Sequence, residues 1–266
     1  MFLTLLLYLV LGAVAGVVAG LFGIGGGLLI VPVLIFSFAA QGMSPDVLTH
    51  AAVATSLATI VVTSISSVRA HHKRGAVRWD LFKPISVGIL VGAFLGVKVA
   101  GMMPGSLLQV VFGVFALCVA VQMGFGIKPS AGTEPPSSAT LSMGGGFIGG
   151  LSAIFGIGGG TLTVPFLSWK RVQMQQAVAT SAACGLPIAV VGALTNVWEG
   201  WGHTQTDEWS LGYVYLPAFA GIVITSSLCA KFGARMAHSL PAPVLKRCFA
   251  VFLLCVGTYL IGKNLY

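Results

Sequence analysis

The residues most able to do chemistry in this chain lie in two glycine clusters. Phe22-Gly23-Ile24-Gly25-Gly26-Gly27 recurs as Phe155-Gly156-Ile157-Gly158-Gly159-Gly160, an offset of 133 (22 to 155). Val31-Pro32 recurs as Val164-Pro165 at the same offset. Glycine runs hold a regular helix poorly, and each cluster precedes a short apolar stretch that reads as helix. A helix start exposes backbone N–H groups and the positive end of the helix dipole, which together suit an anion. Gly25, Gly26 and Gly27, with Gly158, Gly159 and Gly160, are therefore candidate anion-binding positions. Small residues also let helices approach closely in a membrane, and that packing role is the alternative.

Other polar residues repeat as well. Val53-Ala54-Thr55-Ser56 returns as Val178-Ala179-Thr180-Ser181, offset 125. The hydroxyls of Thr55, Ser56, Thr180 and Ser181 can donate to an anion's oxygens, or bond back to their own helices. Gly96-Val97-Lys98 matches Gly233-Ala234-Arg235, offset 137, and Pro104 and Pro241 keep that offset. Lys98 and Arg235 can hold an oxyanion. Lying near helix ends, they can instead snorkel to the interface. His50 aligns with Gln175 and is a candidate proton carrier, or an interface residue. All six acids fall in loops or at segment ends, so a buried carboxylate relay is not expected. The five cysteines sit in apolar stretches without CxxC spacing. No nucleophile–base set and no metal spacing is visible. The expectation is a protein that is not an enzyme and needs no cofactor.

These residues need elements to hold them. The chain has 266 residues, 56% hydrophobic and 8% charged, with 36 glycines. A soluble domain carries roughly a quarter charged residues. The composition excludes a soluble globule, a disordered chain and a disulfide scaffold. The continuous apolar runs exclude a β-barrel. What remains is an all-α polytopic membrane protein. The net charge of +8 reads as loop bias, so no nucleic-acid partner is expected. Leu3 to Leu11 has no basic residue before it and is not read as a cleaved signal.

Each half divides into five apolar segments: about 2–22, 28–39, 47–68, 84–102 and 107–126, then 140–155, 160–168, 174–196, 211–232 and 244–262. A crossing needs about 20 residues, so the second and seventh are too short to span alone. Each forms a glycine-broken hairpin with the segment before it. The organisation is a first repeat over 1–127, a linker over 128–139 and a second repeat over 140–266. The basic loop Arg69–Lys83 is expected in the cytoplasm, and the acidic loop Val197–Ser210 outside. Five segments per repeat invert the second copy, leaving both termini outside and the linker inside. This is an inverted-repeat transporter architecture.

The paired glycine motifs, the Ala-Thr-Ser runs and the basic loop resemble the sulfite exporter TauE/SafE family, also called the 4-toluene sulfonate uptake permease family. The resemblance covers nearly the whole chain. It implies a secondary transporter of the inner membrane that exports small sulfur-containing anions, such as sulfite or organosulfonates, from a midplane site between the repeats. An anion channel with the two glycine turns as its filter is the alternative. The expected partners are the small anion and the lipid bilayer, with a homo-oligomer left open.

Overall fold

The computed structural model describes residues 2–22, 26–125, 137–202, 208–236 and 242–265, with side chains except at 2–3, 18–22, 125, 230–231, 233–236 and 242–246. Among them are ten helices and one two-stranded hairpin. The helices are α1 (Phe2–Phe22), α2 (Gly27–Ala40), α3 (Pro45–Lys73), α4 (Trp79–Gly101), α5 (Gly105–Phe125), α6 (Ser138–Ile154), α7 (Gly160–Trp169), α8 (Met174–Glu199), α9 (Leu216–Met236) and α10 (Ala242–Leu265). Among the described residues, α3, α4, α5, α8 and α10 are each long and apolar enough to cross a membrane. At 14 and 10 residues, α2 and α7 fall well short of a crossing. Exposed Val87, Leu90, Val91, Phe94 and Leu95 along α4, and Val251 and Leu254 on α10, make an apolar exterior suited to lipid.

The element the sequence did not signal is the hairpin, β1 (Ser210–Leu211) and β2 (Val214–Tyr215), lying where the ninth segment was expected to begin. Gly212 turns it with φ 57°. The hairpin packs against the end of α8 so closely that a Cβ on Gly212 would stand 2.7 Å from Val197 Cα.

In the helix packing, α4 lies on α6, α1 on α9, α5 on α10, and α3 on α8. Renaming α1–α5 as α6–α10, and the reverse, maps these pairs onto one another. Glycine makes the closest of them. A Cβ on Gly149 of α6 would stand 2.7 Å from the Ile89 carbonyl oxygen of α4. One on Gly12 of α1 would stand 2.7 Å from Ile222 Cα of α9. Without side chains at these points the backbones approach to van der Waals contact, a major source of helix association where lipid removes the hydrophobic driving force.

Helices α3 and α8 run in opposite directions through the centre. The chain leaving α3 meets the start of α8, where Arg78 N–H donates to Thr180 Oγ1 at 3.0 Å. The chain leaving α8 meets the first half of α3, where Tyr215 N–H donates to Thr55 Oγ1 at 2.9 Å. Each contact has an apolar companion. Val77 is buried with Ala179 and Ala183 of α8. Val214 and Tyr213 are buried with Val47 and Ala54 of α3.

Candidate functional site

The second glycine turn reaches into the first half of the molecule. Helix α6 closes with Ile157 N–H donating to Ser152 O at 2.9 Å, and Gly156 bends the chain with φ 65°. A Cβ at Gly156 would lie 2.9 Å from Val31 Cγ2 of α2 and 3.0 Å from Val53 Cα of α3, so only glycine fits there. Ser56 of α3 donates to the Gly156 carbonyl oxygen at 2.7 Å. Gly27, the first residue of α2, touches the same turn, and its Cβ would stand 2.8 Å from Ile157 Cα. The start of α2 therefore meets the second turn.

Both short helices begin inside this junction. Gly26 takes φ 74° and its carbonyl accepts from Leu29 and Ile30, leaving the Gly27 and Leu28 amides outside the α2 ladder. In α7 the first donation is Thr163 N–H to Gly159 O at 2.8 Å, with the amides of Gly160, Thr161 and Leu162 before it. Gly158, Gly159 and Gly160 are all buried. Gly159 packs on α8, where its Cβ would lie 2.9 Å from Gly185 N and 3.0 Å from Ser181 O. Gly25 lies outside the described residues.

The repeated hydroxyls are all fully buried, and each already has a partner. Thr55 and Thr180 accept from the loop amides named above. Ser56 holds the second turn, and Ser181 donates to Val178 O of its own helix at 2.8 Å. Three further hydroxyls around the second turn have no hydrogen-bond partner: Ser152, Thr161 and Thr163. Repetition does not single them out in the sequence, because these positions differ between the two copies.

The charged candidates lie elsewhere. Lys98, at the end of α4, pairs with Glu199, at the end of α8. The Arg235 side chain lies outside the described residues. His50 is buried and its ring meets that of Tyr213 at a tilt of 30°, with centroids 5.4 Å apart. Its two ring nitrogens face two carbonyl oxygens, Asp46 O at 3.2 Å and Ala100 O at 3.1 Å. A neutral ring donates to one of them; only the imidazolium donates to both. Burial, with the Glu199 charge second, pushes the Tyr213 phenol up, so it stays neutral beside His50. Among the described residues no Lys, Arg, Asp or Glu is buried.

Comparison with known proteins agrees with a polytopic membrane protein. A "Probable membrane transporter protein" of Haemophilus influenzae is 38% identical over 264 residues, covering 99% of this chain and all of that one. A second, from Methanocaldococcus jannaschii, is 29% identical over 98% of this chain and 97% of its own. A third, from Bacillus subtilis, is 27% identical over 99% of this chain and all of its own. No solved structure matches. The family model described as "Sulfite exporter TauE/SafE" matches residues 8–260, both glycine turns included, and the chain is thus a membrane transporter of the TauE/SafE family.

Proposed function

We propose that the protein exports small sulfur-containing anions, sulfite or organosulfonates, by alternating access around a site at the two glycine turns. The repeats are inverted, five helices each, with the loop after α3 closing one side and the loop after α8 the other. The observation that carries this reading is the pair of equivalent seals. Arg78 N–H on Thr180 with Val77 over Ala179 matches Tyr215 N–H on Thr55 with Val214 over Ala54. Two like seals on opposite ends of an antiparallel pair, with the glycine turns between them, suit a carrier that opens one end at a time. A channel filter would need both ends open together.

Export of one negative charge from an inside-negative cell is favourable by about 2.3 kcal/mol per 100 mV, so no coupling ion is needed. Should a proton be carried, His50 is the residue for it. Lys98 acts at the outer end through Glu199. The test is counterflow in proteoliposomes preloaded with sulfite or sulfoacetate. A carrier gives saturable uptake of labelled anion that is stimulated by the same anion on the far side. Unsaturated flux with no such stimulation would establish the channel, and no flux of either anion would refute the substrate.

A further inference from the structure

The two glycine turns are equivalent in sequence and opposite in chemistry. Leu28 and Ile30 at the start of α2 correspond to Thr161 and Thr163 at the start of α7. Ile60 of α3 corresponds to Gly185 of α8. At the start of α2 apolar side chains fill the space. Leu28 and Ile30 are buried, and Ile60 Cδ1 lies 3.0 Å from where a Gly27 Cβ would stand. Around the second turn the same positions bring hydroxyls and a missing side chain.

The geometry there converges. The point where a Gly185 Cβ would stand lies 3.3 Å from Ser64 Oγ of α3 and 3.4 Å from the Gly159 amide nitrogen. Thr163 follows Gly159 by four residues and so shares the face of α7 that meets Ser181 and Gly185. Helical side chains lean toward the N-terminus, so Thr163 covers the first turn of α7, next to Gly159 and Gly160. Thr163 is fully buried, and its hydroxyl has no partner. Ser152, on the helix leading into the turn, is also fully buried and unpartnered, and Thr161 lacks a partner too. A buried hydroxyl left without a partner is unfavourable, and native proteins keep few of them. Here three gather at one turn.

We propose that the α7 turn alone binds the substrate's oxygens, through Thr163, Ser64 and the α7 amides, flanked by Ser152 and Thr161, while the α2 turn is packing. This rests on the anion reading above and narrows it. The donors are neutral hydroxyls and amides at the positive end of one helix, with no buried cation among the described residues. Such a site suits a head group of single charge with several acceptor oxygens, a sulfonate or hydrogen sulfite, over a dianion such as sulfate.

Isothermal titration of the purified protein with methanesulfonate and with sulfate tests this, using Thr163→Val and Thr163→Ser. The wild type binds methanesulfonate more tightly than sulfate. Thr163→Val keeps the shape, loses the hydroxyl, and weakens methanesulfonate binding about tenfold or more. Thr163→Ser keeps the hydroxyl and stays within about threefold of wild type. Without ligand, Thr163→Val melts no lower than wild type, because it removes an unpartnered buried hydroxyl. Unchanged binding by Thr163→Val, or equal loss in Thr163→Ser, overturns the placement. Tighter binding of sulfate overturns the single charge. A wild type that binds neither probe refutes the sulfur-anion reading itself, and this proposal with it.

Discussion

Removing either of the two loop-to-helix hydrogen bonds should bias which end of the transporter opens, and the two removals should act in opposite directions. Thr55→Val keeps the side-chain shape but leaves the Tyr215 amide without its acceptor in the sealed state. Thr55 is fully buried and Tyr215 is 9% exposed, so water does not replace the lost partner until the loop lifts. An unsatisfied buried amide costs about 1–3 kcal/mol. The cost falls only on the sealed form, so the open fraction at that end rises about 5- to 140-fold. Thr180→Val acts at the other end through Arg78, which is only partly buried, and its effect belongs in the lower half of that range. The assay is the rate of reaction of single cysteines with a charged, impermeant thiol reagent. Ala54→Cys lies in the buried cluster that holds Val214, and Ala179→Cys in the one that holds Val77, both in a background lacking the five native cysteines. Thr55→Val should speed labelling at 54 from one side of the membrane, and Thr180→Val at 179 from the other. Acceleration of both sites from the same side, or of neither, would refute the two-seal reasoning.

The ion pair at the end of α8 gives a smaller effect. Lys98 and Glu199 side chains are 43% and 26% exposed, so Glu199→Gln should raise labelling at 54 by no more than about fivefold, the yield of roughly 1 kcal/mol, and high salt should erase the difference. In the α4–α6 contact, Gly92→Ala pushes a Cβ to 2.7 Å from the Gly146 carbonyl carbon and should lower the melting temperature by the equivalent of about 1–3 kcal/mol. Its neighbour makes the control: a Gly146 Cβ meets nothing closer than 3.7 Å, so Gly146→Ala should melt within about 0.5 kcal/mol of wild type. For topology, Lys73→Cys and Trp201→Cys should label from opposite faces of the membrane. Labelling of both from one face would rule out inversion of the second repeat.

The helices were legible because the apolar runs and glycine breaks are long and strong. All ten expected segments have helices, with shifts of a few residues at their ends. Helix α3 continues past the expected 68 to Lys73, since a helix already nucleated in apolar surroundings carries on through Arg69, His71 and His72 as it leaves them. The hairpin was illegible. Two-residue strands are too short to show a period of two, and their stability comes from Val214 and Tyr215 packing on other elements. Thr55 and Thr180 were legible as repeated residues and not as acceptors for distant loop amides, because nothing local in the sequence records a partner 160 or 102 residues away.

The glycine motifs posed a choice between close packing and anion binding; the structure shows the packing, and the proposed site uses other atoms of the same junction. Gly27, Gly156 and Gly159 are each pressed against foreign backbone or a foreign side chain, so a methyl group at any of them would force helices apart. That contact sets the start of α2 against the turn that leads into α7. Packing is thus the condition for a site rather than its rival. With both turns packed, the polarity of the next residues is what distinguishes them, and the proposed site follows that difference. Leu28, Ile30 and Ile60 close the first turn with carbon. Thr161 and Thr163 give the second unpartnered hydroxyls, and Gly185 lets Ser64 and the Gly159 amide come close. A duplicated chain whose two halves seal opposite ends needs its seals alike, because each end must close. On the proposed reading it has no such need of two binding turns, since a carrier moves one substrate at a time.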